Sequence, residues 1–208
     1  MAIKPILFNT EMVRAILDRR KDATRRIVKG FIPDDAVWGY TAFTPKGYIS
    51  CRGTFADGYG EKFFKLPCEP GDILYVRETW KKAPNGYYYY EGWQRNDIAD
   101  ITKWKPSIHM PKEAARIWLK VMNVRVERLQ EITDEQAKRE GIQYDECPTG
   151  FTWKQETDMH NCYTTPIGAM QALWNSTIKK SDLDRYGWNA NPYVWVIEFE
   201  RCEKPEGV

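Results

Sequence analysis

The spacing of apolar positions changes several times along the 208 residues, and each change marks an element. "IKPILFN" reads as a short strand. In "TEMVRAILDRR", Met12, Val13, Ile16 and Leu17 fall at helical spacing, which predicts a helix whose C-terminal end runs into a basic stretch. From Gly30 to Cys68, "PDDAVWGY", "PKGY" and "FADGYG" interleave turn residues with aromatics, the pattern of short hairpin strands. The Pro-Gly-Asp of "KLPCEPGDILYVRETW" predicts a turn feeding a strand from Ile73 to Trp80. "ARIWLKVMNVRVERLQ" alternates Ile117, Leu119 and Val121 against Arg116, Trp118 and Lys120, which predicts a half-buried strand long enough to bend or to form a strand pair.

Further along, "ITDEQAKREGI" places Thr133 and Gln136 in capping-box spacing and Gly141 as a helix stop, so Glu140 falls in the last turn of a short helix. Residues 143–163 have weak periodicity and read as an inserted loop. In "TTPIGAMQALWNST", Pro166 suits a helix start, with Ile167, Met170, Leu173 and Trp174 on one face. "PYVWVIEFERC" closes the chain as a strand, while residues 83–112 form an aromatic excursion with little regular structure. No repeat or low-complexity linker divides the sequence. The elements add up to one domain over 1–208, α+β and mostly β, in which a closed or partly closed barrel carries helices on its edge.

Composition narrows the function classes. Lysines and arginines number 31 against 29 acidic residues, a balance too even to mark a nucleic-acid partner by net charge, so only local clustering argues for phosphate. Nine Trp, twelve Tyr and eight Phe provide rings that fill a core or stack on unpaired bases, and Trp80, Trp93, Trp104 and Trp188 stand beside polar or loop residues where stacking is open to them. No apolar run is long enough to cross a bilayer, and no charged-then-apolar leader opens the chain. The five cysteines are scattered without a CxxC pair, which fits a reducing cytoplasm, and with only His109 and His160 they suggest no metal site.

Clustering is found in "RRKDATRR", where five positive charges surround the hydroxyl of Thr24. A helix dipole favours some of these cations at a C-terminus. The rest suit either a phosphate-binding patch or a site in which Lys21, its proton affinity lowered by neighbouring arginines, activates Thr24.

The order of "RRKDATRR", "PGDILYVRETW", "VERLQEITDEQAKREGI" and "YVWVIEFER" resembles the ASCH domain, of the PUA-like β-barrel group linked to RNA. The longer phage and prophage proteins of that family carry a motif of the form GRKTxTRR, which this chain matches with an arginine for the glycine and Asp22 for the first threonine. The resemblance implies a PUA-like barrel with helices on its edge and insertions at about 31–65, 83–112 and 143–190. A compact branch comprises bacterial N4-acetylcytidine amidohydrolases, whose lysine, threonine and glutamate fall on Lys21, Thr24 and Glu140.

By that likeness Thr24 attacks an amide carbonyl, Lys21 serves as base, Glu140 orients Lys21 or relays a proton, and Arg26 stabilises the oxyanion. Arg19, Arg20, Arg25, Arg26, Glu78 and Trp80 would complete a basic cleft for RNA, single-stranded DNA or a modified nucleoside, with no cofactor, in the cytoplasm of a bacterial or phage-infected cell. The alternative is a non-catalytic RNA or single-stranded DNA binding module. Each residue also has a plain structural role open to it: a turn cap for Thr24, a surface position for Glu140, an ion pair for Glu78, a core anchor for Trp80.

Overall fold

A computed structural model describes residues 1–94, 103–144, 150–153 and 162–207. A five-stranded sheet organises them in the order β1 (Ile3–Leu7), β6 (Ile73–Arg77), β9 (Trp118–Arg128), β12 (Tyr193–Cys202) and β2 (Ala23–Ile27). β1 pairs parallel with β6, and every other neighbour is antiparallel. β9 is one long strand rather than two. It stays paired with β12 along its length through a bulge, where the register passes from Asn123 to Val121 opposite Glu198 and Phe199.

The sheet is not a closed barrel. β1 and β2 are its two edges and exchange no ladder hydrogen bonds, yet both line one cavity, and the Arg26 guanidinium on β2 donates to the Leu7 carbonyl on β1 at 3.0 Å. The two edges therefore face each other across a gap bridged by a side chain.

Helix α1 (Thr10–Leu17) begins where the Asn9 side chain accepts from the Met12 amide, and it buries Met12, Val13 and Ile16 in the main core. The core takes the inner face of the sheet through Val76, Leu119, Val121, Val194 and Val196. Two further helices close over it: α3 (Asp134–Arg139), with the capping box of Thr133 and Gln136, and α4 (Pro166–Thr177), with Pro166 in its first turn and Thr165 as its cap. Two short helices complete the set, α2 (Tyr90–Gln94), whose Glu91 faces Arg14 of α1, and α5 (Leu183–Tyr186), whose Tyr186 carbonyl accepts from Trp174 of α4.

The alternation of β9 suggests one wet face, and the structure departs from that. Trp118, on the supposed polar side, is 3 % exposed because the excursion after β6 folds back over it. β7 (Trp80–Ala83) and β8 (Gly86–Tyr89) form a hairpin there, and Trp80, Met110, Ala114 and Ala115 pack with Ile73, Tyr75 and Trp118 as a second core. A three-stranded sheet of β3 (Val37–Gly39), β4 (Tyr48–Phe55) and β5 (Gly58–Lys65) accounts for the hairpins read between Gly30 and Cys68. β10 (Gln143–Tyr144) and β11 (Phe151–Thr152) form a short ladder in what reads as loop. No helix among the described residues is long and apolar enough to cross a membrane. The cysteines do not all remain thiols: Cys51, Cys68 and Cys202 are free, but Cys162 is disulfide-bonded.

The basic stretch begins at the C-terminal end of α1, as the apolar spacing predicts, and then runs into strand. α1 stops at Leu17, the Arg19 and Arg20 amides turn back to the Ile16 and Ala15 carbonyls, and Ala23 onward is strand. The turn passes through Arg19 at φ 61°, the left-handed region that favours glycine. Arg19→Gly is expected to raise stability by about 1 kcal/mol in chemical denaturation; an unchanged or lower midpoint contradicts strain at this turn.

Candidate functional site

Edge strand β2 brings the chemistry together. Thr24 and Arg26 are two apart and so share a face of the strand, and Arg26 Nη1 donates to Thr24 Oγ1 at 2.8 Å. Lys21 lies just before the strand, and Glu140 caps the C-terminal end of α3 beside it, the two backbones meeting in an isolated antiparallel bridge. Gly141 makes that approach possible. Its φ is +105°, and a Cβ there would stand 3.0 Å from the Ala15 side chain and 3.7 Å from Lys21 Cβ.

Lys21, Thr24, Arg25 and Glu140 are all buried, none more than 4 % exposed. Lys21 Nζ donates to Glu140 Oε2 at 2.7 Å, to the Glu140 carbonyl at 2.8 Å and to the Ala23 carbonyl at 2.7 Å. The other oxygen of Glu140 accepts from Arg25 Nη1 at 3.2 Å. Arg25 is held in turn by Glu127 and Gln136. One carboxylate thus joins two buried cations that leave the edge strand by different routes.

Burial pulls the proton affinity of Lys21 below the ordinary lysine value. Glu140 opposes that shift, and the positive charges of Arg26 and Arg25 add to it. Arg26 donates only to neutral oxygens, those of Thr24, Arg25 and Leu7, and has no carboxylate partner among the described residues. It is half-buried and stacks at 5.1 Å on the Phe8 ring, which Lys21 Nζ also approaches at 5.5 Å.

These groups form the polar end of a cavity of about 560 Å³ between the two sheet edges. β1 and the residues after it give Leu7, Phe8 and Met12 to its wall, and α4 gives Met170, Leu173 and Trp174. The Trp174 ring is fixed by its Nε1 donating to the Tyr186 carbonyl at 2.8 Å. Apolar walls around a few convergent polar groups, at this volume, are the usual form of a small-molecule site.

Of the residues read from sequence, the structure therefore gathers Lys21, Thr24, Arg25, Arg26 and Glu140 and leaves the others outside. Arg19 is exposed, and Arg20 ties the turn to the Gly141 carbonyl and to Asp18. Glu78 does not reach the cavity. Both its oxygens pair with Arg116, at 2.9 and 2.8 Å, in a buried cluster with Glu91. Trp80 belongs to the second core, with Lys105 above its ring at 5.1 Å. Trp188 packs in the main core and Trp104 against Tyr90, whereas the Trp93 side chain, Cys147 and His160 lie outside the described residues. Among the described residues no group of three metal-ligating side chains occurs.

Sequence reasoning missed Leu7 and Phe8 as cavity residues, and saw the α4 face only as core. The one available signal was Phe8 standing directly before the helix-capping Asn9, a position where an apolar residue often packs back on its helix. No protein-family model, curated protein or solved structure matches the chain.

The Glu140 bridge carries a clear stability consequence. Glu140→Ala strips the carboxylate from two buried cations and is expected to cost about 3–5 kcal/mol in urea denaturation. A loss below about 1 kcal/mol, the range of an exposed ion pair, contradicts the buried bridge.

Proposed function

We propose that the cavity is the active site of an ASCH-type, PUA-like amidohydrolase that acts on an acylated nucleoside of the N4-acetylcytidine kind. The observation that carries this reading is the convergence of Lys21, Thr24, Arg26 and Glu140 at the polar end of an apolar-walled cavity of nucleoside size. The arginines of "RRKDATRR" are not spread over an open groove. Lys21 and Arg25 are spent on Glu140, Arg20 on a turn, and only Arg26 offers the cavity a cation without a carboxylate partner among the described residues.

In this reading Lys21 first sheds a proton, which its burial beside two arginines favours. Its nitrogen then turns from the Ala23 carbonyl toward the Thr24 hydroxyl and takes that proton as Thr24 Oγ1 bonds to the acyl carbon. Arg26, already donating to Oγ1, stabilises the oxygen that becomes negative. The carbon–nitrogen bond breaks and the proton passes from Lys21 to the leaving amine. Water then cleaves the threonine ester by the same route, so one amide and one water yield a carboxylic acid and an amine. Glu140 acts through Lys21, as the group that holds it in place.

One observation favours a second reading, a non-catalytic RNA or single-stranded DNA binding site. All three Lys21 protons are already engaged, and Lys21 makes no hydrogen bond to Thr24. The two readings separate on turnover.

Acetate release from N4-acetylcytidine by the purified chain is expected, and Thr24→Ala and Lys21→Ala are each expected to lower it by about 10²-fold or more while leaving the circular dichroism unchanged. Absent turnover, or turnover retained in both variants, contradicts the hydrolase. The pH profile has a fixed sign. Because the neutral amine is the base, kcat/KM is expected to climb with pH and to level off below the ordinary lysine value of about 10.4. A rate that falls as pH rises through the alkaline range contradicts Lys21 as the base.

A further inference from the structure

The β3–β4–β5 sheet has two unlike faces. The Ile49, Cys51, Gly53 and Phe55 face of β4 is buried. By strand alternation the opposite face carries Tyr48, Ser50, Arg52 and Thr54 from β4, Tyr59, Glu61, Phe63 and Lys65 from β5, and Val37 from β3. Apart from Ser50, which is buried and donates to Glu61, that face largely meets solvent: Tyr59 is 74 % and Phe63 38 % exposed. Large rings pointing into water across a sheet have no role in the fold described above.

The charges on this sheet are unevenly used. Glu61 accepts from Ser50, Asp35 accepts from the Thr54 amide and hydroxyl, and Asp57 pairs with Lys62. The Arg52 and Lys65 side chains have no hydrogen-bond or ion-pair partner among the described residues, although Glu61 stands directly opposite Arg52. The carboxylates are thus occupied within the sheet while two cations beside exposed rings are not.

Spacing gives the rings a direction. Tyr59 and Phe63 are four residues apart on one strand, about 13 Å, and Tyr48 is diagonal to Phe63 because it pairs with Lys65. The row of rings runs toward Lys65, two residues from Pro67 on the wall of the cavity. Exposed aromatic faces take bases of any identity, and free cations between them take the backbone.

We propose that this solvent face is a platform for single-stranded nucleic acid, with Tyr48, Tyr59 and Phe63 stacking on bases and Arg52 and Lys65 meeting phosphates. It stands whether or not the cavity hydrolyses amides, since none of its residues lines the cavity.

Fluorescence anisotropy of the full chain with labelled oligouridylate and oligothymidylate of about 12 nucleotides tests it. Binding is expected to weaken with salt, to fall about tenfold or more in Tyr59→Ala/Phe63→Ala, and to lose both affinity and salt slope in Arg52→Glu/Lys65→Glu. Arg26→Ala, in the cavity, is expected to leave it unchanged. All these positions but Arg26 are exposed, so superimposable melting curves for the platform variants keep the comparison clean. Absent binding, binding untouched by both double variants, or binding lost only with Arg26→Ala overturns the platform. Sedimentation showing that the exposed rings join two copies of the chain, with Tyr59→Ala/Phe63→Ala restoring the monomer and no oligonucleotide bound, overturns it as well.

Discussion

The Glu140 carboxylate is the constraint on which the site depends. Its two oxygens hold Lys21 and Arg25, cations that are both buried, so neither can leave the other without stranding charge in a poorly solvated place. Because Glu140 caps α3 and Lys21 precedes β2, the same bridge fixes a helix to the edge of the sheet. An edge strand normally presents unpaired backbone groups to solvent. Here the edge is covered by a charged cluster instead, and the opposite sheet edge meets it through Arg26 and the Leu7 carbonyl.

That arrangement explains why the cavity exists. A closed ladder between β1 and β2 would place backbone where the cavity now lies, whereas the open sheet leaves a gap that α4 walls with apolar side chains. The gap keeps Lys21 poorly solvated and puts Arg26, a half-buried arginine without a carboxylate partner among the described residues, next to the Thr24 hydroxyl. Fold and candidate chemistry thus have a common origin in the unpaired edges.

Much of this was legible in the sequence, and the failures have physical causes. The capping box, the Gly141 stop and the Pro166 start are local signals, and the elements stand where those signals put them. Lys21, Thr24 and Glu140 were visible as motif residues, but their meeting across more than a hundred positions was not a local property. β2 was hidden because "ATRRI" carries two arginines in five residues, a composition that reads as solvated surface rather than as an edge strand with a buried guanidinium. Glu78 and Trp80 were misplaced for a different reason. Strand β6 leads to them, but the excursion covering its outer face turns them into a second core and an ion cluster, and periodicity within a strand does not report what packs on it.

The candidate site depends on Lys21 being a buried lysine held at the cavity by Glu140 with lowered proton affinity. The direct measurement is a nitrogen-15 NMR titration of the lysine side-chain amines in the intact chain, with Lys21→Met to assign the signal. The Lys21 amine is expected to titrate at lower pH than the surface lysines and to shift in Glu140→Gln. A Lys21 signal that titrates together with the surface lysines and ignores the loss of the carboxylate contradicts it.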